Sequence, residues 1–126
     1  MSNALNSTGR PIVYSICNWG GEGVEYWGQN TGNSWRTTQD IFDEWRSVEY
    51  NFIRNQDFRA SSGPGGWNDA DMLEVGNGGM TIEEEKSHFA LWAIAKSPLI
   101  IGTDLTDLRK ESLKVLKNEE VIAINQ

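Results

Sequence analysis

The chain is short of most features that would point to a metal, a membrane or a nucleic acid. One histidine and one cysteine stand among 126 residues, so no histidine cluster can form and Cys17 has no partner for an intramolecular disulfide. Eleven basic residues face eighteen acidic ones, a formal charge of −7. That balance disfavours the phosphate-rich surfaces a nucleic-acid binder must neutralise. No apolar run approaches the ~20 residues needed to span a bilayer. The longest, around Pro98 to Gly102, is separated from Ala93–Ala95 by Lys96 and reads as a buried strand following a helix. The first ten residues lack a basic segment followed by an apolar core, so no signal peptide is read there. Gly76-Asn-Gly-Gly79 lacks the Lys-Ser/Thr ending of a phosphate loop, and Asp69-Ala-Asp71 lacks the glycine and terminal glutamate of a calcium loop.

What is present alternates. Arg10 to Cys17 is β-branched and aromatic and reads as a strand running into a Gly/Asn/Trp-rich loop, and Ser34 to Thr38 reads as a second strand. From Ile41 the apolar residues Ile41, Phe42, Trp45, Val48, Phe52 and Ile53 follow helical spacing, with Thr38 or Asp40 available as a cap. Trp67 to Leu73 predicts a third strand. Thr81-Ile-Glu-Glu84 has capping-box spacing, and the helix it opens turns Phe89, Trp92, Ala93 and Ala95 inward and ends near Lys96. Leu99 to Gly102 predicts a fourth strand, followed by a helix around Leu108 to Leu116 with Leu113 and Leu116 inward, and a short tail. Strand and helix alternation of this kind belongs to parallel β/α units, and four strands in this length make half of an eight-stranded barrel, which takes about 250 residues.

Polar and aromatic residues gather at the C-terminal ends of the predicted strands: Cys17 and Trp19, Arg36 and Asp40, Asp69 and Asp71, and Asp104. β/α barrels place their active sites there. Carboxylates between tryptophan walls suit acid/base chemistry on a sugar, whose apolar face stacks on rings while carboxyls exchange protons with its oxygens. The competing reading of each aspartate is a helix cap. Cys17 as a nucleophile would need His88, which the predicted order leaves on a distant helix as a surface or packing residue. Asn6-Ser-Thr8 fits the glycosylation acceptor pattern.

Four blocks, Tyr14-Ser-Ile-Cys-Asn-Trp19, Ser34-Trp-Arg-Thr-Thr-Gln-Asp-Ile41, Gly63-Pro-Gly-Gly-Trp-Asn-Asp-Ala-Asp-Met-Leu-Glu-Val-Gly-Asn-Gly-Gly79 and Ala93-Ile-Ala-Lys-Ser-Pro-Leu-Ile-Ile-Gly-Thr-Asp104, resemble in order and spacing the melibiase-type α-galactosidases of glycoside hydrolase family 27. The resemblance covers nearly the whole chain. It implies a retaining hydrolase that removes terminal α-linked galactose from oligosaccharides and galactomannans, built on a (β/α)8 barrel, with no cofactor and no metal. Residues 1–126 would be the C-terminal half of that catalytic domain, strands five to eight.

By the same resemblance Asp40 matches the acid/base and Arg36 the residue reaching the sugar near its 2-hydroxyl. Cys17 and Trp19 match residues that close against that hydroxyl, and Asp71 and Met72 match residues lining the pocket. The family's nucleophile lies in a Lys-Tyr-Asp-type motif that these 126 residues do not contain. The isolated chain is therefore expected to be inactive, with a complementary N-terminal half as its candidate partner beside the α-galactoside itself. The resemblance also implies a secreted or extracellular protein. The alternatives are an α-N-acetylgalactosaminidase, which the bulk of Cys17 and Trp19 at the 2-position disfavours, and a non-catalytic sugar-binding or interaction fragment.

Overall fold

A computed structural model describes residues 1–126. Three short strands, β1 (Ser15–Ile16), β2 (Ser34–Arg36) and β3 (Trp67–Asp69), form a parallel sheet in the order β1-β2-β3. Ser15 and Ile16 pair with Ser34 and Trp35, and Ser34, Trp35 and Arg36 pair with Trp67, Asn68 and Asp69. Six helices accompany the sheet: α1 (Ser2–Asn6), α2 (Val24–Trp27), α3 (Trp45–Asp57), α4 (Ile82–Ala95), α5 (Lys110–Leu116) and α6 (Glu119–Asn125). α4 packs on α3, α5 and α6. No helix is long and apolar enough to cross a membrane.

The strands are shorter than the sequence predicts, for identifiable reasons. Ile12 and Val13 lie exposed on the outer edge beyond β1, where no further strand is present to pair with them, and the Tyr14 N–H is taken by the side chain of Asn33 at 2.9 Å. β3 stops at Asp69 because Asp71 adopts a left-handed backbone with φ 86°, which a pleated strand cannot continue through. The expected fourth strand is accordingly reduced to one parallel bridge between Leu73 and Ile101, with Leu73 N–H donating to the Ile100 carbonyl at 2.7 Å and Gly102 N–H to the Leu73 carbonyl at 2.9 Å.

The helix expected from Ile41 starts four residues later. The Ile41 N–H donates to Asp71 and the Phe42 N–H to Ser47 Oγ, so these residues form an irregular approach; Glu44 is the N-cap, and neither Thr38 nor Asp40 caps the helix. Ile41 and Val48 are buried, Trp45 and Phe52 pack against the core, and Phe42 and Ile53 stay in solvent. α3 spends part of its inner face on polar contacts instead: Asn51 Nδ2 donates to the Ala70 carbonyl at 3.2 Å and Asn55 Nδ2 to Thr37 Oγ1 at 3.3 Å.

The capping box forms as the spacing predicts. Glu84 N–H donates to Thr81 Oγ1 at 3.3 Å, and the Glu84 carboxylate accepts the Thr81 N–H at 2.8 Å. α4 ends on Lys96 in a left-handed conformation, and the Lys96 ammonium binds the Ile124 and Asn125 carbonyls at the end of α6. Leu116 is inward as expected, whereas Leu113 is exposed, because α5 turns Ser112, Val115 and Leu116 toward α4. The larger core joins Val48, Leu73, Val75, Phe89, Trp92 and Leu116 between the sheet and the helices, and a smaller one gathers Ile16, Val24, Trp35 and Phe58.

Candidate active site

Parallel strands put the segments that follow them at one end of the sheet. Cys17 to Trp19 follow β1, Thr37 to Asp40 follow β2, and Ala70 to Met72 follow β3. Arg36, the last residue of β2, is the node of that end. Its Nη2 lies 2.7 Å from Asp71 Oδ2 and 3.2 Å from Asp40 Oδ1, and donates to the Thr38 carbonyl at 3.3 Å. The guanidinium is buried, and its Nε has no partner in the protein. A buried donor without a partner costs about 1–3 kcal/mol, and this one is closed off from the surface.

Asp40 differs from its neighbours in exposure. Its side chain is 69% exposed, and both of its contacts, from Arg36 and from the indole Nε1 of Trp19 at 3.1 Å, fall on Oδ1. Oδ2 is thereby free to carry or accept a proton while Oδ1 is held. Trp19 stands on a left-handed backbone with φ 54° and is half exposed. Next to it, a Cβ built on Gly20 would lie 2.2 Å from the Thr37 carbonyl oxygen, so backbone meets backbone between the β1 and β2 loops. At the other side of the site a Cβ on Gly79 would lie 2.0 Å from the Asp43 carbonyl oxygen, and Gly79 N–H donates to Asp43 Oδ2 at 2.6 Å.

Asp71 is buried where Asp40 is open. Its Oδ2 also accepts the Ile41 N–H at 2.7 Å, and its Oδ1 accepts the Met72 N–H at 2.8 Å. Its own N–H donates to Asp69 Oδ1 at 2.8 Å, and its carbonyl accepts the Trp92 indole N–H at 2.7 Å. Burial pushes the Asp69 carboxyl above the usual range, against the Asp71 N–H and the Arg36 charge, which pull it down.

Of the six residues singled out by sequence, Trp19, Arg36, Asp40 and Asp71 are in mutual contact through Arg36 and Asp40. Cys17 and Met72 stand exposed at the same end of the sheet. Asp104 does not join them: its Oδ1 caps the turn at Leu105–Asp107 by accepting Thr106 Oγ1 at 2.7 Å and Thr106 N–H at 2.8 Å, which hold the carboxyl below its usual range. His88 is a packing residue. It is fully buried, edge-on to Trp92 at 4.2 Å, and its Nε2 accepts the Glu74 N–H at 3.0 Å. No group of three or more His, Cys, Asp or Glu side chains is placed to hold a metal ion. A hollow of about 560 Å³ lined by Ile82, Phe89, Val115 and Val121 lies among α4, α5 and α6, away from the strand ends; the site is an open surface rather than a closed cavity.

Asp69, one of the strand-end aspartates, touches the site by accepting the Asp71 N–H. Glu85, which no sequence pattern singles out, is buried on α4 away from it.

Comparison with known proteins places this geometry in a family. The family model described as alpha galactosidase A, a melibiase, matches residues 1–126. Alpha-galactosidase 3 of Arabidopsis thaliana and the alpha-galactosidase of Cyamopsis tetragonoloba are each 52% identical over the whole chain, which covers 29% and 31% of their lengths. A solved alpha-galactosidase of Saccharomyces cerevisiae with raffinose superimposes with a TM-score of 0.98 at 40% identity, over 100% of this chain and 33% of that one. The chain thus spans about three-tenths of the length of these curated relatives. With the match running from the first residue to the last, and with half of the residues shared, the chain belongs to the alpha galactosidase A family of glycoside hydrolases.

Proposed function

We propose that this chain is the C-terminal half of the (β/α)8 catalytic domain of an α-galactosidase, and that Asp40 is its acid/base. The observation that carries the reading is the state of Asp40: exposed, fixed through one oxygen by Trp19 and Arg36, with the other oxygen free. A retaining hydrolysis needs such a group opposite a nucleophilic carboxylate about 5–5.5 Å away. Asp40 gives its proton to the leaving oxygen while the nucleophile bonds to the anomeric carbon. In the second step the Asp40 carboxylate takes a proton from water, and that water displaces the nucleophile and releases galactose.

Cys17, Trp19, Arg36 and Met72 form the wall on which the galactose sits, with Asp71 paired to Arg36 behind it. The bulk of Cys17 and Trp19 favours a 2-hydroxyl over a 2-acetamido group. The raffinose in the yeast relative supports oligosaccharides ending in α-galactose as the substrate class. The nucleophile and the remaining strands of the barrel lie outside these 126 residues, and a secreted or extracellular location follows from the same family reading. The chain alone is expected to turn over α-galactosides negligibly, because the covalent route needs both carboxyls.

An aryl α-galactoside assay on the purified chain, alone and then joined or mixed with the N-terminal portion of a relative, tests this. Activity should require the second component. Turnover by the chain alone at a relative's rate, or none with the complement present, would overturn it.

A further inference from the structure

We infer that Asp71 serves the reaction as a positioning residue for Asp40, not as a ligand of the sugar. The inference rests on the acid/base reading of Asp40 and extends it to the turn that follows β3. Asp71 is only 8% exposed at its side chain, and three donors already occupy its carboxylate: Arg36 Nη2 at 2.7 Å, Ile41 N–H at 2.7 Å and Met72 N–H at 2.8 Å. A carboxylate so committed has little left to offer a hydroxyl. Two of those donors flank Asp40. Arg36 precedes it by four residues and holds its Oδ1, and Ile41 is the next residue along the chain. Asp71 therefore clamps the chain on both sides of the acid/base.

The clamp is itself held. Asp71 keeps its left-handed backbone, which costs a non-glycine residue free energy, because its N–H is fixed by Asp69 and its carbonyl by the buried Trp92 indole at 2.7 Å. Trp92 belongs to α4 and is fully buried, so the route from helix α4 to Asp40 runs through Asp71 and reaches Arg36 and Ile41 together. Tilting the turn after β3 would release both supports of the acid/base at once.

The test uses two proteins. In a graft that places this chain in the Cyamopsis tetragonoloba α-galactosidase in place of the matching segment, Asp71→Asn should lower kcat on galactosides with poor leaving groups by about tenfold or more. KM should stay within about twofold, and kcat/KM on an activated aryl galactoside, which reports the first step alone and needs little proton donation, should be much less affected. Trp92→Phe, which removes the indole N–H, keeps an aromatic ring of smaller size and cannot touch the sugar, should show the same pattern more weakly. In the 126-residue chain itself, either substitution should speed hydrogen exchange at the Ile41 amide about tenfold while the amides in the middle of α4 keep their protection. A rise in KM on both substrate classes with kcat maintained would make Asp71 a sugar ligand and overturn the inference, as would unchanged exchange at Ile41. An inactive parent graft would count against the proposed function, and the exchange measurement would still decide the role of Asp71. If Asp71→Asn does not fold, Trp92→Phe carries both measurements.

Discussion

Two arginine–carboxylate clusters, one at the strand ends and one in the helical layer, use the same chemistry to different ends. In the helical layer Glu85 is fully buried on α4. It accepts Arg109 Nη2 at 2.5 Å, Ser112 Oγ at 2.6 Å and the Gly76 N–H at 3.0 Å, while Arg109 also donates to Ser112 Oγ and the Met80 carbonyl. The Glu85 carboxylate is fully engaged there, by α5 and by the loop after β3. At the strand ends, Arg36 and Asp71 are paired as tightly, yet Arg36 Nε has no partner and the second carboxylate, Asp40, is left in solvent. The helical cluster closes its carboxylate completely, whereas the strand-end cluster leaves Asp40 Oδ2 open to solvent.

The contrast is sharpest if each cluster is cut. In the grafted full-length enzyme, Asp40→Asn should slow hydrolysis of natural galactosides by about 10²–10⁴-fold and leave the melting temperature in place, since the side chain is mostly in water. A loss of no more than about twofold in steady-state turnover would return Asp40 to an ordinary surface residue. Glu85→Ala should do the reverse, costing the chain about 1–3 kcal/mol by leaving the Ser112 hydroxyl and the Gly76 N–H without their acceptor while the part-exposed Arg109 turns to water, as read by urea denaturation; an unchanged midpoint would mean that water compensates the cluster.

The third outcome concerns pH. Burial pushes the His88 imidazole from 6.5 down to about 4, so between those values the unfolded chain binds the proton that the folded chain refuses. Stability should therefore fall as pH drops from about 6.5 to 4, by about 3 kcal/mol in total. Protonation of the buried Asp69 runs the other way, because its raised pKa lets the folded state take up a proton first. The difference between the parent and His88→Gln across that window isolates the imidazole, and parallel curves would refute its part. The smallest effect is expected at the exposed start of α4, where Thr81→Ala should cost about 1 kcal/mol without any change in catalysis, measured by thermal melting.

How much of this could be read from the chain beforehand depends on whether a residue's partner was near it in sequence. Arg36 and Asp40, four apart after a strand, and the Thr81–Glu84 capping box are local patterns and appear where their spacing put them. Glu85 and His88 sit on a helix face that also carries Phe89 and Trp92, but a charged residue on an inward face looks like a solvated one until Arg109, 24 residues on, is seen to meet it. Leucine's hydrophobicity points Leu113 inward, whereas the inward position is held by Ser112, whose hydroxyl donates to the buried Glu85 carboxylate. The shortened β3 and the reduced fourth strand follow from one left-handed residue, Asp71, whose conformation depends on Trp92 and Asp69 rather than on its own propensity. The convergence at the strand ends was legible from parallel topology alone; which carboxylate is open and which is clamped was not.

The backbone contacts at Gly20 and Gly79 have a consequence for anyone mapping this domain by saturation mutagenesis. Neither residue has a side chain to do chemistry, yet any other amino acid would push the Thr37 or Asp43 carbonyl aside and carry the Asp40 segment with it. In an activity-selected library both positions should be as intolerant as Asp40 itself. A tolerance map would therefore set two silent glycines beside Asp40, and only a parallel selection for folded abundance would separate a side chain needed for chemistry from residues that merely leave room for it.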